Sequence, residues 1–307
     1  MALVRVAERA VRCHTRSMGT LRTERIDKWV RGRLGDTLVV ETRDPMLVWQ
    51  GGFPPVYGFA RDEVAEGVLR PAAESSYPGS FFFGPHLPVA QWYDVVAGDG
   101  VVECGAWSLE DLPDRVVMTW QPRRLAWTEE DEPVSLHPRD PHKRVETLHS
   151  SRHVEVLLGD AVVGASDRPV LLLETDLPTR YYLPREEVRL DLLTRTDNVS
   201  ACPYKGTADS YWTFPGPPEV ANVGWSYSSP LPGVDAIAHR ISFYNELVDL
   251  RADVDGQHGR IDRHGTTLGP GQARAGHFPP GRCSALLNGD SGLSSRTPST
   301  RRSTSSL

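Results

Sequence analysis

A stretch of thirty residues occurs twice in this chain of 307. Residues 35–64 align without a gap on residues 159–188, displaced by 124 positions, and ten of the thirty are identical. Unrelated sequences would share about two, so the segment is a duplication. Gly35/Gly159, Asp36/Asp160, Pro45/Pro169, Tyr57/Tyr181, Arg61/Arg185 and Glu63/Glu187 are among the shared pairs. A weaker echo follows, in which Trp107-Ser108 matches Trp225-Ser226 and Leu112-Pro113 matches Leu231-Pro232. The chain must therefore adopt a fold that is built twice.

In the second copy, residues 153–158 and 161–165 flank Gly159-Asp160, a hairpin dipeptide. The apolar run Val170-Leu171-Leu172-Leu173, bounded by Pro169 and Asp176, predicts a buried strand. Tyr181-Tyr182-Leu183 and residues 210–214, 220–227 and 248–254 predict further strands. Pro184 opens a short helix with Glu186 and Glu187 in its first turn, where the macrodipole favours acids. Val234, Ile237, Ile241 and Tyr244 recur at helical spacing and predict one longer helix. The expected fold class is mainly β (α+β), a β-rich unit with one short and one longer helix, present as two tandem copies.

Charge divides the chain into regions. Residues 1–22 carry five arginines against Glu8, and residues 256–307 carry seven against Asp262 and Asp290, so a net charge of −6 conceals an acidic middle. That balance argues against a general nucleic-acid binder. No run reaches the roughly 18 apolar residues of a membrane helix. Cys13, Cys104, Cys202 and Cys283 form no CxxC pair, so neither a zinc ribbon nor a disulfide scaffold is indicated, and reduced thiols place the protein in the cytoplasm. Met18-Gly19 offers an alternative start, and the arginine-rich leader reads as an over-extended or untethered terminus rather than a targeting signal. The expected organisation is an N-terminal extension over 1–27, a first repeat over 28–128, an acidic, proline-rich connector over 129–152, a second repeat over 153–255 and a disordered tail over 256–307.

Several motifs of the second copy resemble one known family. Residues 174–193, Cys202-Pro203-Tyr204-Lys205-Gly206, Tyr211-Trp212, Gly224-Trp225-Ser226-Tyr227 and residues 243–250 resemble the domain of unknown function 427 family, and the connector is similar to that of its two-copy members. The resemblance covers roughly residues 28–252. It implies a β-rich, tent-like fold of the Mss4-like group, some of whose members bind zinc through paired cysteines that this chain lacks. It implies no established activity. Family labels have associated the domain with nucleotidyltransferases, but no paired carboxylates follow a Gly-Ser strand here. The first copy carries Tyr77-Pro78-Gly79-Ser80-Phe81 where the second has Cys-Pro-Tyr-Lys-Gly, so chemistry needing a lysine is confined to the second copy.

Only Lys28, Lys143 and Lys205 of the 34 basic residues are lysine, which draws notice to a lysine in a Pro- and Gly-bounded loop. Cys202 and Lys205 are the catalytic candidates. Lys205 could favour a thiolate at Cys202, or burial could lower its own pKa and make it a base or Schiff-base former. The alternative is that Lys205 pairs with an acid such as Glu174 while Cys202 packs as a small apolar group. Tyr182 and Tyr204 stand opposite Gly58 and Gly79 of the first copy and are better ligand candidates than Trp212, a core residue. Glu174 becomes Gln50, whereas Arg185 and Glu187 are retained as Arg61 and Glu63, which fits a shared structural ion pair. His137 and His142, in a proline-broken segment, read as exposed or interdomain residues rather than metal ligands. The expected ligand-binding set is Glu174, Tyr182, Arg185, Cys202, Tyr204, Lys205 and Trp225, with no metal and no cofactor. A small, anionic molecule is the expected partner, without nucleic acid or membrane; a non-catalytic interaction module is the competing class.

Overall fold

The computed structural model describes residues 20–72, 83–121, 123–134, 136–254, 257–261 and 267–268. Each repeat is a large antiparallel sheet packed against a smaller one. In lateral order the first seven-stranded sheet runs Leu21–Arg25, Met46–Gln50, Val56–Ala60, Leu112–Met118, Gly100–Leu109, Val89–Ala97, Leu69–Ala72. The second runs Val145–His149, Val170–Glu174, Arg180–Leu183, Ile241–Phe243, Val220–Ser226, Ser210–Phe214, Thr194–Thr196. The smaller sheets run Thr37–Thr42, Val30–Leu34, Ala126–Glu129, Glu132–Val134 and Ala161–Ser166, Val154–Leu158, Asp249–Val254, Gln257–Ile261, Thr267–Leu268. Among the described residues the topology is thus the same in both, except that the second small sheet carries one strand more. A separate hairpin pairs Ser200–Cys202 with Gly206–Ala208.

Alternation along the strands gives each large sheet two apolar faces. One packs on the small sheet: Val30, Val40, Tyr57, Phe59 and Trp127 meet in the first repeat, and Val154, Val163, Tyr181, Leu183 and Trp212 in the second. The opposite face holds Val48, Trp107 and Val117 in the first repeat and Leu172, Tyr182, Tyr211, Trp225 and Tyr227 in the second.

The expected strands form, the short helix forms as a 3-10 turn, and the longer helix does not form. Pro184 is followed by single 3-10 turns at Arg185–Glu187 and Leu190–Leu192. The longer helix through Val234, Ile237, Ile241 and Tyr244 is replaced by a 3-10 turn at Asp235–Ile237 and the strand Ile241–Phe243. His239 between them takes a left-handed φ of 60° and turns the chain. Val234 and Ile237 therefore pack with Tyr182 and Trp225, while Ile241 faces the small sheet.

Strands also occur in the segments expected as an N-terminal extension, a connector and a disordered tail. Leu21–Arg25 and Val145–His149 are edge strands of the two large sheets, and Gln257–Ile261 pairs with Asp249–Val254. The two edge strands bury little, so their polar composition hides them. The contrasting loop at Tyr77-Pro78-Gly79-Ser80-Phe81 lies outside the described residues, as do residues 1–19 and most of the tail.

Register places one lateral row of side chains on the outer face of each large sheet. In the second repeat the row is His149, Val170, Tyr182, Ser242, Trp225, Tyr211, Thr196. In the first it is Arg25, Met46, Gly58, Val117, Trp107, Trp92, Ala72. Four places that bear hydroxyls in the second repeat bear none in the first.

Candidate functional site

The hairpin Ser200–Cys202/Gly206–Ala208 lies against this hydroxyl-rich face. Its turn is closed by the Lys205 amide donating to the Cys202 carbonyl at 3.3 Å, and the loop is tied down by the Leu231 amide donating to the Lys205 carbonyl at 3.0 Å. Gly206 has a φ of 90°, which a side chain at that position would strain. The turn aims Lys205 inward at Glu174, the last residue of its strand, and the ammonium bonds Glu174 Oε2 directly.

A second lysine reaches the same carboxylate. Lys143 Nζ lies 3.1 Å from Glu174 Oε1, and the three side chains are 25%, 14% and 5% exposed for Lys143, Lys205 and Glu174. Lys143 comes from the segment between the repeats. The Arg144 amide donates to Thr175 Oγ1 at 2.9 Å, and the Thr175 amide to the Arg144 carbonyl at 3.0 Å, which holds Lys143 beside Glu174.

Burial disfavours the Glu174 carboxylate, but Lys205 and Lys143 outweigh it and lower its pKa below the ordinary value. For Lys205 burial again opposes the charge, and Cys202 and Glu174 reverse the balance and raise its pKa. Of the readings open for Lys205, its neighbours favour the ammonium over a base whose pKa burial lowers. Its chemistry here is that of a charged donor, and Cys202 is one of its hydrogen-bonding neighbours.

Tyr204 joins the site from above. Its hydroxyl accepts from the Asp140 amide at 2.6 Å, its ring lies 6.2 Å from that of His137, and burial pushes its pKa up to about 12. Tyr182 and Trp225 lie beneath, and the Trp225 Nε1 donates to the Tyr182 hydroxyl at 3.1 Å. Tyr182 is fully enclosed, and desolvation drives its pKa far above the ordinary value. Arg180, held by Glu246 at 2.8 Å through both guanidinium nitrogens, lies over the rings of Trp225 and Tyr244 at 5.8 and 5.5 Å.

Arg185 is not part of this group. Its guanidinium lies 5.3 Å from the Trp212 ring centre, and Trp212 belongs to the core on the other side of the sheet. Arg61 repeats the arrangement over Tyr93 at 5.1 Å. The retained acids turn elsewhere: Glu63 accepts from Thr42 and the Ala60 amide, and Glu187 from Arg168. The shared feature is therefore an arginine on an aromatic ring, and no Arg185–Glu187 ion pair forms its basis.

His137 and His142 take unlike partners. His137 is buried with Nδ1 at 2.8 Å from the Pro138 carbonyl, and His142 Nε2 lies 2.6 Å from Glu24. Sequence reasoning missed Lys143 and Asp140. The scarcity of lysine was the available signal, because Lys28 also sits on a carboxylate, 2.6 Å from Glu129.

A family model described as Domain of unknown function (DUF427), NTP_transf_9, matches residues 22–119 and 146–254. The chain belongs to the DUF427 family. Both matched stretches begin within or next to the edge strands Leu21–Arg25 and Val145–His149, so this DUF427 protein carries two copies of the family's domain. Among curated proteins none matches the chain.

Proposed function

We propose that the second DUF427 repeat binds a small anion, a carboxylate or phosphate group, at Lys143 and Lys205. The single observation that supports this reading is that two ammonium groups share one buried carboxylate. Each ammonium has three N–H donors and Glu174 takes one from each, which leaves donors for an anion next to polar aromatic rings. The cytoplasm, with its reduced thiols, suits Cys104 and Cys202, which are not in disulfides.

The competing reading is a structural lock. The closed Lys205–Glu174 pair favours it, because that contact already balances the charge of this lysine. Nucleotidyl transfer, which the family model's name evokes, calls for carboxylates that hold metal ions. Both oxygens of Glu174 are engaged by lysines, which weighs against it.

Thermal shift separates the first two readings. Wild type, Lys143→Ala, Lys205→Ala and Cys202→Ala are melted with inorganic phosphate, acetate, benzoate or citrate. Binding raises the melting temperature of wild type with concentration. The anion site predicts that a shift is lost in both lysine variants. Equal shifts in all four proteins, or no shift with any of the anions, overturn it.

A further inference from the structure

The segment between the repeats is more than a tether. His137-Pro138-Arg139-Asp140-Pro141 runs across both repeats, and its two prolines bias the residues before them to extended backbone. On the side of the second repeat, Arg139 Nε donates to the Pro203 carbonyl at 2.8 Å and the Asp140 amide to the Tyr204 hydroxyl. On the side of the first, Trp49 Nε1 donates to Asp140 Oδ2 at 2.8 Å. Asp140 Oδ1 accepts the His142 amide at 2.8 Å, and its carbonyl accepts the Lys143 amide at 3.2 Å. One residue thus links an indole of the first repeat, a tyrosine of the second, and the turn that presents Lys143 to Glu174.

We propose that Trp49 and Asp140 are positioning residues through which the first repeat shapes the lysine centre of the second. The proposal deepens the anion-site reading and rests on it for its functional meaning, while the mechanical link stands on the hydrogen bonds alone. The device works in one direction. Trp49 corresponds to Leu173, whose side chain has no N–H, and Tyr204 to Gly79, which has no hydroxyl. Trp49 is anchored on its own side, with the Arg22 guanidinium 3.9 Å above its ring and the residue 6% exposed. A divergent copy without the lysine loop is thereby kept in use as the support for the copy that has it.

The test is amide hydrogen exchange on the full chain, comparing wild type with Trp49→Phe, which keeps an aromatic ring but removes the N–H. A bond to a charged acceptor contributes enough for exchange in residues 136–144 and 200–206 to rise about tenfold. Residues 46–60 and 112–118 of the first repeat keep their wild-type exchange. Tyr204→Phe, which removes the hydroxyl from the other end, loosens the same two segments. Phosphate affinity, measured by calorimetry on the same proteins, falls with both substitutions.

Unchanged exchange at 200–206 in Trp49→Phe overturns the proposal, as does a rise spread evenly over the first repeat. If the two segments loosen as expected and phosphate does not bind wild type, the link is upheld and the anion reading is the one that fails. If phosphate binds wild type and both variants equally, the positioning role is refuted and the anion site stands.

Discussion

Trp225 donates its indole N–H to the hydroxyl of Tyr182 at 3.1 Å, and the corresponding residues of the first repeat are Trp107 and Gly58. The same sheet therefore carries a hydrogen-bonded aromatic pair in one copy and a glycine beside a tryptophan in the other. Gly58 is kept small by its neighbour, since a Cβ there would lie 2.9 Å from Val48 Cγ2. Tyr182→Phe leaves the buried Trp225 N–H without its acceptor. It should destabilise the protein by about 1–3 kcal/mol, read from the urea midpoint. A loss below the error of the measurement would show that the indole finds another partner.

Ser242 lies between these two residues in the lateral row, where the first repeat has Val117. Its hydroxyl is buried and has no hydrogen-bond partner among the described residues. Ser242→Ala removes an unsatisfied polar group and should leave stability unchanged or raise it by about 1 kcal/mol. A marked loss in the same urea experiment would contradict the assignment of that hydroxyl as unpaired.

Glu174 and Lys143 should differ sharply on substitution. Glu174→Gln leaves two partly buried ammonium groups without a counter-charge and is expected to cost about 3–5 kcal/mol. Lys143→Met leaves Glu174 still paired with Lys205, and its cost should be about 1 kcal/mol or less. Similar losses for the two variants would mean that the carboxylate is not the centre of the cluster.

Two histidines give the pH dependence opposite signs. Burial depresses the pKa of His137, so its contribution is present above the ordinary histidine value of 6.5 and is lost as pH falls. Asp167 raises the pKa of His153, so its contribution is present below 6.5 and is lost as pH rises through the folded value. His137→Phe should flatten the loss of stability on the acid side of 6.5, and His153→Asn should remove the loss on the alkaline side. Glu174, with its lowered pKa, adds a further loss only once pH falls below about 4.5, the ordinary carboxylate value. Urea midpoints of the three proteins from pH 4 to 9, ~ten points each, check the signs; identical profiles would exclude both histidines.

Much of the fold was legible where a local signal agreed with the tertiary one. Residues 170–173 form an unbroken apolar run because both faces of their strand are covered, and Gly159-Asp160 marks the hairpin between Val154–Leu158 and Ala161–Ser166. The helix through Val234 and Ile241 was misread because period alone does not reveal a left-handed residue at His239. Pairing of Lys205 with Glu174 was among the readings open in the sequence. The exclusion of Arg185 was not, because it depends on how the 3-10 turn after the strand Arg180–Leu183 aims its side chain. Lys143 was hidden by its connector, which shows its role only when Asp140 is seen to bridge Trp49 and Tyr204.

The chain's three lysines make the central claim directly measurable. Selective 15N labelling of lysine gives Nζ resonances for Lys28, Lys143 and Lys205 alone, assigned through lysine-to-arginine variants and followed during addition of inorganic phosphate, acetate, benzoate or citrate. The account predicts that Lys143 and Lys205 move together on binding while Lys28, paired with Glu129 in the first repeat, stays in place, and that Lys205 titrates above the ordinary lysine value of 10.5. Movement of Lys28 alone, or a Lys205 that loses its proton below that value, would contradict it.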